Sequence, residues 1–131
     1  MPIQVEPNVA ERILVLRYTL PLTGSENVVQ VIADFAAQVR ANFFAVSDLR
    51  GVPITFDAMV DGLDMVRRYL TQVPVRFVTI GDSELVEMGN RAITQQQYGG
   101  FEAARAFATE EEALAYCRAE LTKPAALPKE Q

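Results

Sequence analysis

Apolar residues along this chain keep two rhythms in turn. Short apolar runs give way to a spacing of three and four, which predicts strands separated by helices. The stretch IQVE (Ile3 to Glu6) reads as a short edge strand. It turns through Pro7 and Asn8 into RILVLRY (Arg12 to Tyr18), with the proline confined to the hairpin turn. After TLPLTGSENV the period changes: Ser25 is placed to cap a helix and Glu26 falls in its first turn. Val28, Val29, Ile32, Phe35, Ala36 and Val39 form one apolar stripe, so this helix is predicted to run to about Ala41. FFAVSDL (Phe43 to Leu49) is almost unbroken apolar sequence, as a central strand covered on both faces requires.

The pattern then repeats. A helix starting at Thr55 or Phe56 turns Met59, Val60, Leu63, Val66 and Leu70 inward, with Asp64 and Arg68 as an i, i+4 pair outside. Pro74 lies in the connection to VRFVTI (Val75 to Ile80), the next strand. Asp82 or Ser83 caps a third helix carrying Leu85, Val86, Met88, Ala92 and Ile93. A last strand is expected at about Ala104 to Phe107. Thr109 and Glu112 then form a capping box ahead of a helix with Ala113, Leu114, Cys117 and Leu121 inside. Strands alternating with helices imply right-handed βαβ crossovers. The expected fold is α/β: a mostly parallel sheet of four or five strands, an antiparallel N-terminal edge strand and about four helices. One domain over 3–121 and a mobile tail over 122–131, with its two prolines, complete the expectation.

Composition narrows the chemistry. With 131 residues, half of them hydrophobic, the chain is long enough to build a core without staples. A net charge of -5 and twelve scattered basic residues argue against a general nucleic-acid binder. One cysteine excludes an internal disulfide, and the amino terminus lacks the pattern of a secretory signal. No apolar run approaches the roughly 20 residues of a membrane-spanning helix. A cytoplasmic protein of bacterial type is expected. The chain has no histidine, which removes the commonest proton shuttle and zinc ligand.

Motifs exclude more than they assign. LTGSE has one glycine, no lysine precedes Lys123, and there is no GxGxxG, so neither phosphate-binding loop is present. The acids Asp48, Asp57, Asp61, Asp64 and Asp82 do not make a receiver-like site, since Tyr18 and Thr19 stand where its acidic pair belongs. No metal and no cofactor are expected. Cys117 lies on an apolar stripe, and a histidine-free chain offers it no ready base. Asp48 ends a buried strand, where open α/β sheets place ligands, although a carboxylate there also serves to cap the turn that follows.

The order of these pieces, with DLRGV after the third strand and the ending RAFATEEEALAYCRAEL, resembles the STAS domain over roughly Ile3 to Leu121. The nearer likeness is to small bacterial SpoIIAA-like proteins, some described as STAS/SEC14-like. In the sporulation-type antagonists of that class, an Asp-Ser-Ser-Gly-Leu opens the following helix and carries a serine phosphorylated by a partner kinase. Here Asp48, Leu49, Gly51 and Val52 fit the first part of the motif. Phe56, Asp57, Ala58 and Met59 then replace Asp, Ser, Ser and Gly, so the acceptor serine is missing. Asp57 as a constitutive charge and Thr55 as an offset acceptor are the two alternatives this leaves.

The resemblance implies a non-enzymatic interaction or regulatory domain that docks a protein partner or a second copy of itself. Its expected surface is the helix after DLRGVP, through Asp48, Arg50, Thr55, Asp57, Met59 and Asp61, together with the loop LPLTGSE. Two alternatives stand beside it. One is a module for a small hydrophobic, lipid-like ligand near Tyr98 and Phe101. The other is a small enzyme using Asp48. Neither nucleic acid nor membrane insertion is expected.

Overall fold

The computed structural model describes residues 3–18, 25–51, 56–81, 84–95 and 106–122. Its elements are β1 (Ile3–Asn8), β2 (Ile13–Tyr18), α1 (Ser25–Val39), β3 (Phe43–Asp48), α2 (Phe56–Tyr69), β4 (Val75–Ile80), α3 (Glu84–Ala92) and α4 (Glu110–Leu121). The four strands form one sheet in the order β1-β2-β3-β4. β1 runs antiparallel to β2, and β2, β3 and β4 run parallel. The α/β architecture expected from the hydrophobic rhythm is the one observed.

Two local details differ from the sequence pattern. Pro7 and Asn8 lie inside β1, paired with Leu14 and Ile13, and the turn falls on residues 9–12. Pro7 is tolerated because β1 is an edge strand. Asn8 closes the turn with its side chain: Oδ1 accepts the Glu11 N–H at 3.0 Å, and Nδ2 donates to Glu11 Oε1 at 3.0 Å. Helix α1 stops at Val39 rather than Ala41, because Arg40 takes the left-handed conformation (φ 56°). Of the expected strand at 104–107 only Ala106 and Phe107 are described, and Phe107 makes a single parallel bridge to Ile80. The caps expected at Asp82 or Ser83 lie outside the described residues.

Strand periodicity splits the core in two. Leu14, Leu16 and Tyr18 of β2, Phe43 and Ala45 of β3, and Val75 and Phe77 of β4 face α1, α2 and α3. That side is filled by Ile32, Phe35, Leu63, Leu70 and Ile93 from the helices. The intervening residues Ile13, Val15, Phe44, Val46, Val78 and Ile80 face α4, which supplies Ala113 and Cys117. Helix α4 starts as its sequence predicts. Thr109 has extended backbone and its hydroxyl accepts the Glu112 N–H at 3.2 Å.

Close packing extends to the helix pairs. A Cβ on Gly89 of α3 would sit 3.2 Å from both Cγ and Sδ of Met59 on α2, so this glycine marks a tight contact between the two helices. Met is flexible enough to give a few tenths of an ångström, and alanine favours a helix by about 1 kcal/mol over glycine. Gly89→Ala is therefore expected to leave stability within about 1 kcal/mol of wild type in urea unfolding. Gly89→Val should lose about 1–3 kcal/mol by overpacking. Equal effects of the two would argue against contact at this point.

Cys117 is fully buried, and burial pushes its thiol up to about 12. A thiol-specific disulfide reagent should consequently label it no faster than the protein unfolds, and at once in denaturant. Rapid labelling of the native protein would contradict this packing.

Candidate functional site at the carboxyl ends of the parallel strands

Asp48 ends β3 and is 8% exposed, the one buried charged residue among those described. Both its oxygens are engaged by Arg50. Oδ1 accepts the Arg50 backbone N–H at 3.1 Å and Nε–H at 3.0 Å, and Oδ2 accepts from Nη2 at 2.8 Å. The turn this builds continues into Gly51 at φ 73°, a conformation that glycine adopts without steric cost. Hydrogen bonding from the Arg50 side chain is the main reason that the Asp48 carboxyl is held below its ordinary value of 3.8. Burial opposes it, and the charge of Arg17 adds to the lowering. Such a carboxylate is a fixed anion that shapes its turn.

The same parity that sends Phe44 and Val46 toward α4 sends Asp48 there too. Its cross-strand neighbour on β2 is Arg17. The Arg17 guanidinium meets Glu6 of β1 at 2.6 Å and both oxygens of Glu110, the first residue of α4, at 2.8 and 2.7 Å. Its hydrogen bonds to Glu6 and then Glu110 raise its pKa further. Arg50 Nη2 stands 4.0 Å from the same Glu110 carboxylate. Glu6, Arg17, Asp48, Arg50 and Glu110 thus form one network across β1, β2, β3, the following turn and α4.

On the opposite face, the side chains of Tyr18 and Ser47 are hydrogen bonded, and burial pushes the Tyr18 phenol up to about 12. Helix α2 lies on this side. Asp57 and Asp61 are exposed on it, one turn apart, and no ion pair joins either to another described residue. Asp64, further along, is tied to Arg67 at 2.6 Å and Arg68 at 3.0 Å. Met59 stands both on the expected inner face of this helix and in the expected docking surface. It is half-buried against the core and touches the position of Gly89.

The apolar feature of this surface is Phe56, which is 56% exposed. Phe56, Leu63 and Leu70 are spaced by seven, so they lie along one line of α2, yet Leu63 and Leu70 are buried. The stripe runs roughly 10 Å past Leu63 at 1.5 Å per residue, beyond the point where the core covers it.

The structure therefore joins Asp48 to Arg50 and separates this pair from Asp57, Met59 and Asp61, which belong to the other side of the sheet. Thr55, Tyr98 and Phe101 lie outside the described residues, as do residues 20–24 of the loop LPLTGSE. Arg17, Glu110 and Phe56 did not emerge from the sequence reading. Counting by twos from Ile13 along β2 was the available signal for the first of these. Among the described residues, no group of three or more acids or cysteines is placed to hold a metal ion. No helix among them is long and apolar enough to cross a membrane.

Asp48→Asn should cost about 1 kcal/mol, since it weakens the bonds that hold Arg50, whose half-exposed guanidinium can then turn to water. The carboxyl titrates lower in the native protein than in the unfolded chain. Its contribution is complete at neutral pH and is lost as pH falls from about 3.8 through the lower native value. The variant should accordingly show a flatter acid limb of stability below about pH 4. An acid limb unchanged from wild type would overturn this assignment.

No protein-family model and no curated protein matches the chain. Solved structures do. An uncharacterised protein of the DUF3478 family with a SpoIIAA-like fold, from Shewanella loihica PV-4, superimposes with a TM-score of 0.60 at 19% identity, covering 88% of this chain and 91% of its own. The anti-sigma factor antagonist SpoIIAA in its unphosphorylated form gives a TM-score of 0.58 at 21% identity, covering 88% and 97%. An antiparallel edge strand followed by parallel strands, with helices on both faces, is the SpoIIAA-like fold, and this chain adopts it.

Proposed function

We propose that this protein is a STAS-like interaction domain that docks a protein partner through the amino-terminal half of α2. The observation that carries this is Phe56. It is a large apolar side chain in line with the core residues Leu63 and Leu70, held out in solvent on a rigid helix. Large aromatic side chains on an ordered element are what binding surfaces use as anchors. Asp57 and Asp61 beside it are exposed carboxylates without a described cation. The partner fitted to this surface is therefore a protein with an apolar recess bordered by Lys or Arg.

The fold neighbour named as an anti-sigma factor antagonist acts on another protein, which favours a protein as the occupant here as well. The absence of a serine at positions 56–59 means that docking at this helix start does not depend on a phosphoserine there.

A photo-crosslinking phenylalanine analogue placed at position 56 tests the reading, with position 69 as the control. Tyr69 is as exposed as Phe56 but lies at the far end of α2. The expected outcome is one defined protein adduct at 56, absent at 69. It should weaken with added salt and be lost in an Asp57→Lys, Asp61→Lys variant. No adduct, or the same adducts at both positions, would overturn it, and an adduct of twice the chain's own mass would replace the partner by a second copy. Phe56→Ala should leave stability within about 0.5 kcal/mol, because the side chain is mostly in water already.

A further inference from the structure

The charged network on the α4 side has a geometry that its stabilising value does not explain. Glu110 belongs to α4, about sixty residues after the turn at Asp48, yet its Oε1 is shared. Arg17 Nη2 donates to it at 2.8 Å, and Arg50 Nη2 stands 4.0 Å away. Arg50 in turn is the residue whose backbone and side chain both close on Asp48. Leu49 N–H is bonded to Ile80 O at 3.0 Å, Gly81 N–H to Phe107 O at 2.9 Å, and Phe107 stands three residues before Glu110. Backbone and side chains therefore form a closed circuit from the turn, through the end of β4, to the start of α4 and back through Arg50.

The charges in the circuit act on Arg50 in opposite senses. Arg17, opposite Asp48 in the register, repels it, and Glu110 attracts it. With Glu110 removed, the Arg17 charge would face Arg50 with only Glu6 and Asp48 to offset it. Glu6 is the most exposed carboxylate of the set, so screening by water weakens it most. Asp48 holds the Arg50 guanidinium most strongly, and the next carboxylate that attracts it, Glu110, is on a different helix from the one that the turn introduces.

We infer that Glu110 is a positioning residue for the candidate docking surface: from the start of α4 it adds to the hold of Asp48 on the Arg50 guanidinium, and so acts on the turn that precedes α2. The docking reading gives this coupling its functional meaning, but the coupling itself is a property of the free protein. An event at the amino-terminal end of α4 would then be felt at the start of α2 on the other face of the sheet. This supplies a route for control that needs no acceptor serine on α2.

The test is Glu110→Gln in the full chain, read by amide hydrogen exchange and by the Arg50 side-chain Nε–H resonance. The expected result is a several-fold rise in exchange at Arg50 and Gly51 and in the first turn of α2, with a shifted Arg50 Nε–H. Amides of β3 and of the second half of α4 should be unchanged. A variant that loosened the whole fold would raise exchange in those amides too, and that outcome overturns the inference. So does a change confined to residues 109–112 and Arg17.

A double-mutant cycle with Asp48→Asn gives a second reading. Coupling predicts that the two substitutions together change the unfolding constant by several-fold less than the product of their separate effects. Agreement with that product within about two-fold would overturn it. These measurements use no partner. Loss of the crosslink at position 56 with the coupling intact would therefore sink the docking reading alone.

Discussion

The structure depends on one strand buried on both sides. Phe43, Phe44, Ala45 and Val46 of β3 are all at or below 1% exposure, and they alternate between the α1–α3 side and the α4 side. A slip of one residue would exchange the two sets, sending Phe44 where Phe43 packs against Phe35, with ring centroids 5.1 Å apart. Neither layer tolerates that exchange, so the register of β3 against β2 and β4 is set by packing alone. Everything at the carboxyl end of the strand inherits its parity. Ser47 goes to Tyr18 on one side and Asp48 to Arg17 on the other.

That inheritance explains why the charged network is where it is, but its energetics are modest. The pairs are partly exposed, and pairs of this kind contribute about 0.2–1 kcal/mol each. Removing one buried phenylalanine such as Phe44 would cost about 3–5 kcal/mol. Packing therefore holds α4 on the sheet, and the ion pairs select its rotation and slide. They stand at both ends: Glu110 on Arg17 at the start, and Arg118 on Glu11 near the end at 3.1 Å. There the Arg12 guanidinium also reaches the Leu121 carbonyl at 3.4 Å. The signs at the two ends agree with the helix dipole, acid at the amino end and bases at the carboxyl end. Because Ala113 and Cys117 are small, α4 lies close to the sheet, and its two clamps work over short spans.

Most of the fold was legible because it rests on local rules. The β4 boundaries, the Thr109 cap and the Asp64–Arg68 pair follow from spacing within a few residues, and each appears in the structure as the spacing requires. The hairpin was misplaced because Pro7 suggested a turn. An edge strand tolerates a proline, and edge position is a property of the whole sheet. The candidate site was read only in part for a related reason. Proximity in DLRGVPITFDAM suggested one cluster, but period two sends Asp48 to the α4 side while α2 packs on the other. Arg17 and Glu110 are far apart in sequence, and only the fold brings them together. The spacing of Phe56 from Leu63 and Leu70 does not say whether it lies inside or outside the core. The stripe continues past the end of the core, and no local pattern reveals where the core stops.

The state of Asp48 bears on what kind of site this end of the sheet supports. A general acid or base needs a titration near neutral pH and an oxygen free to meet a substrate. Asp48 has its two oxygens on three Arg50 donors and a carboxyl held low by them. What such an anion does well is hold a turn in one shape. A recognition surface gains from that rigidity, because every torsion fixed before the encounter is one whose entropy the complex does not lose. Phe56 extends the same economy: an aromatic ring has two side-chain torsions, and here it stands on the first residue of an ordered helix. The stiff turn on one face of the sheet and the exposed ring on the other are thus parts of one arrangement, in which buried charge supplies order and exposed carbon supplies contact.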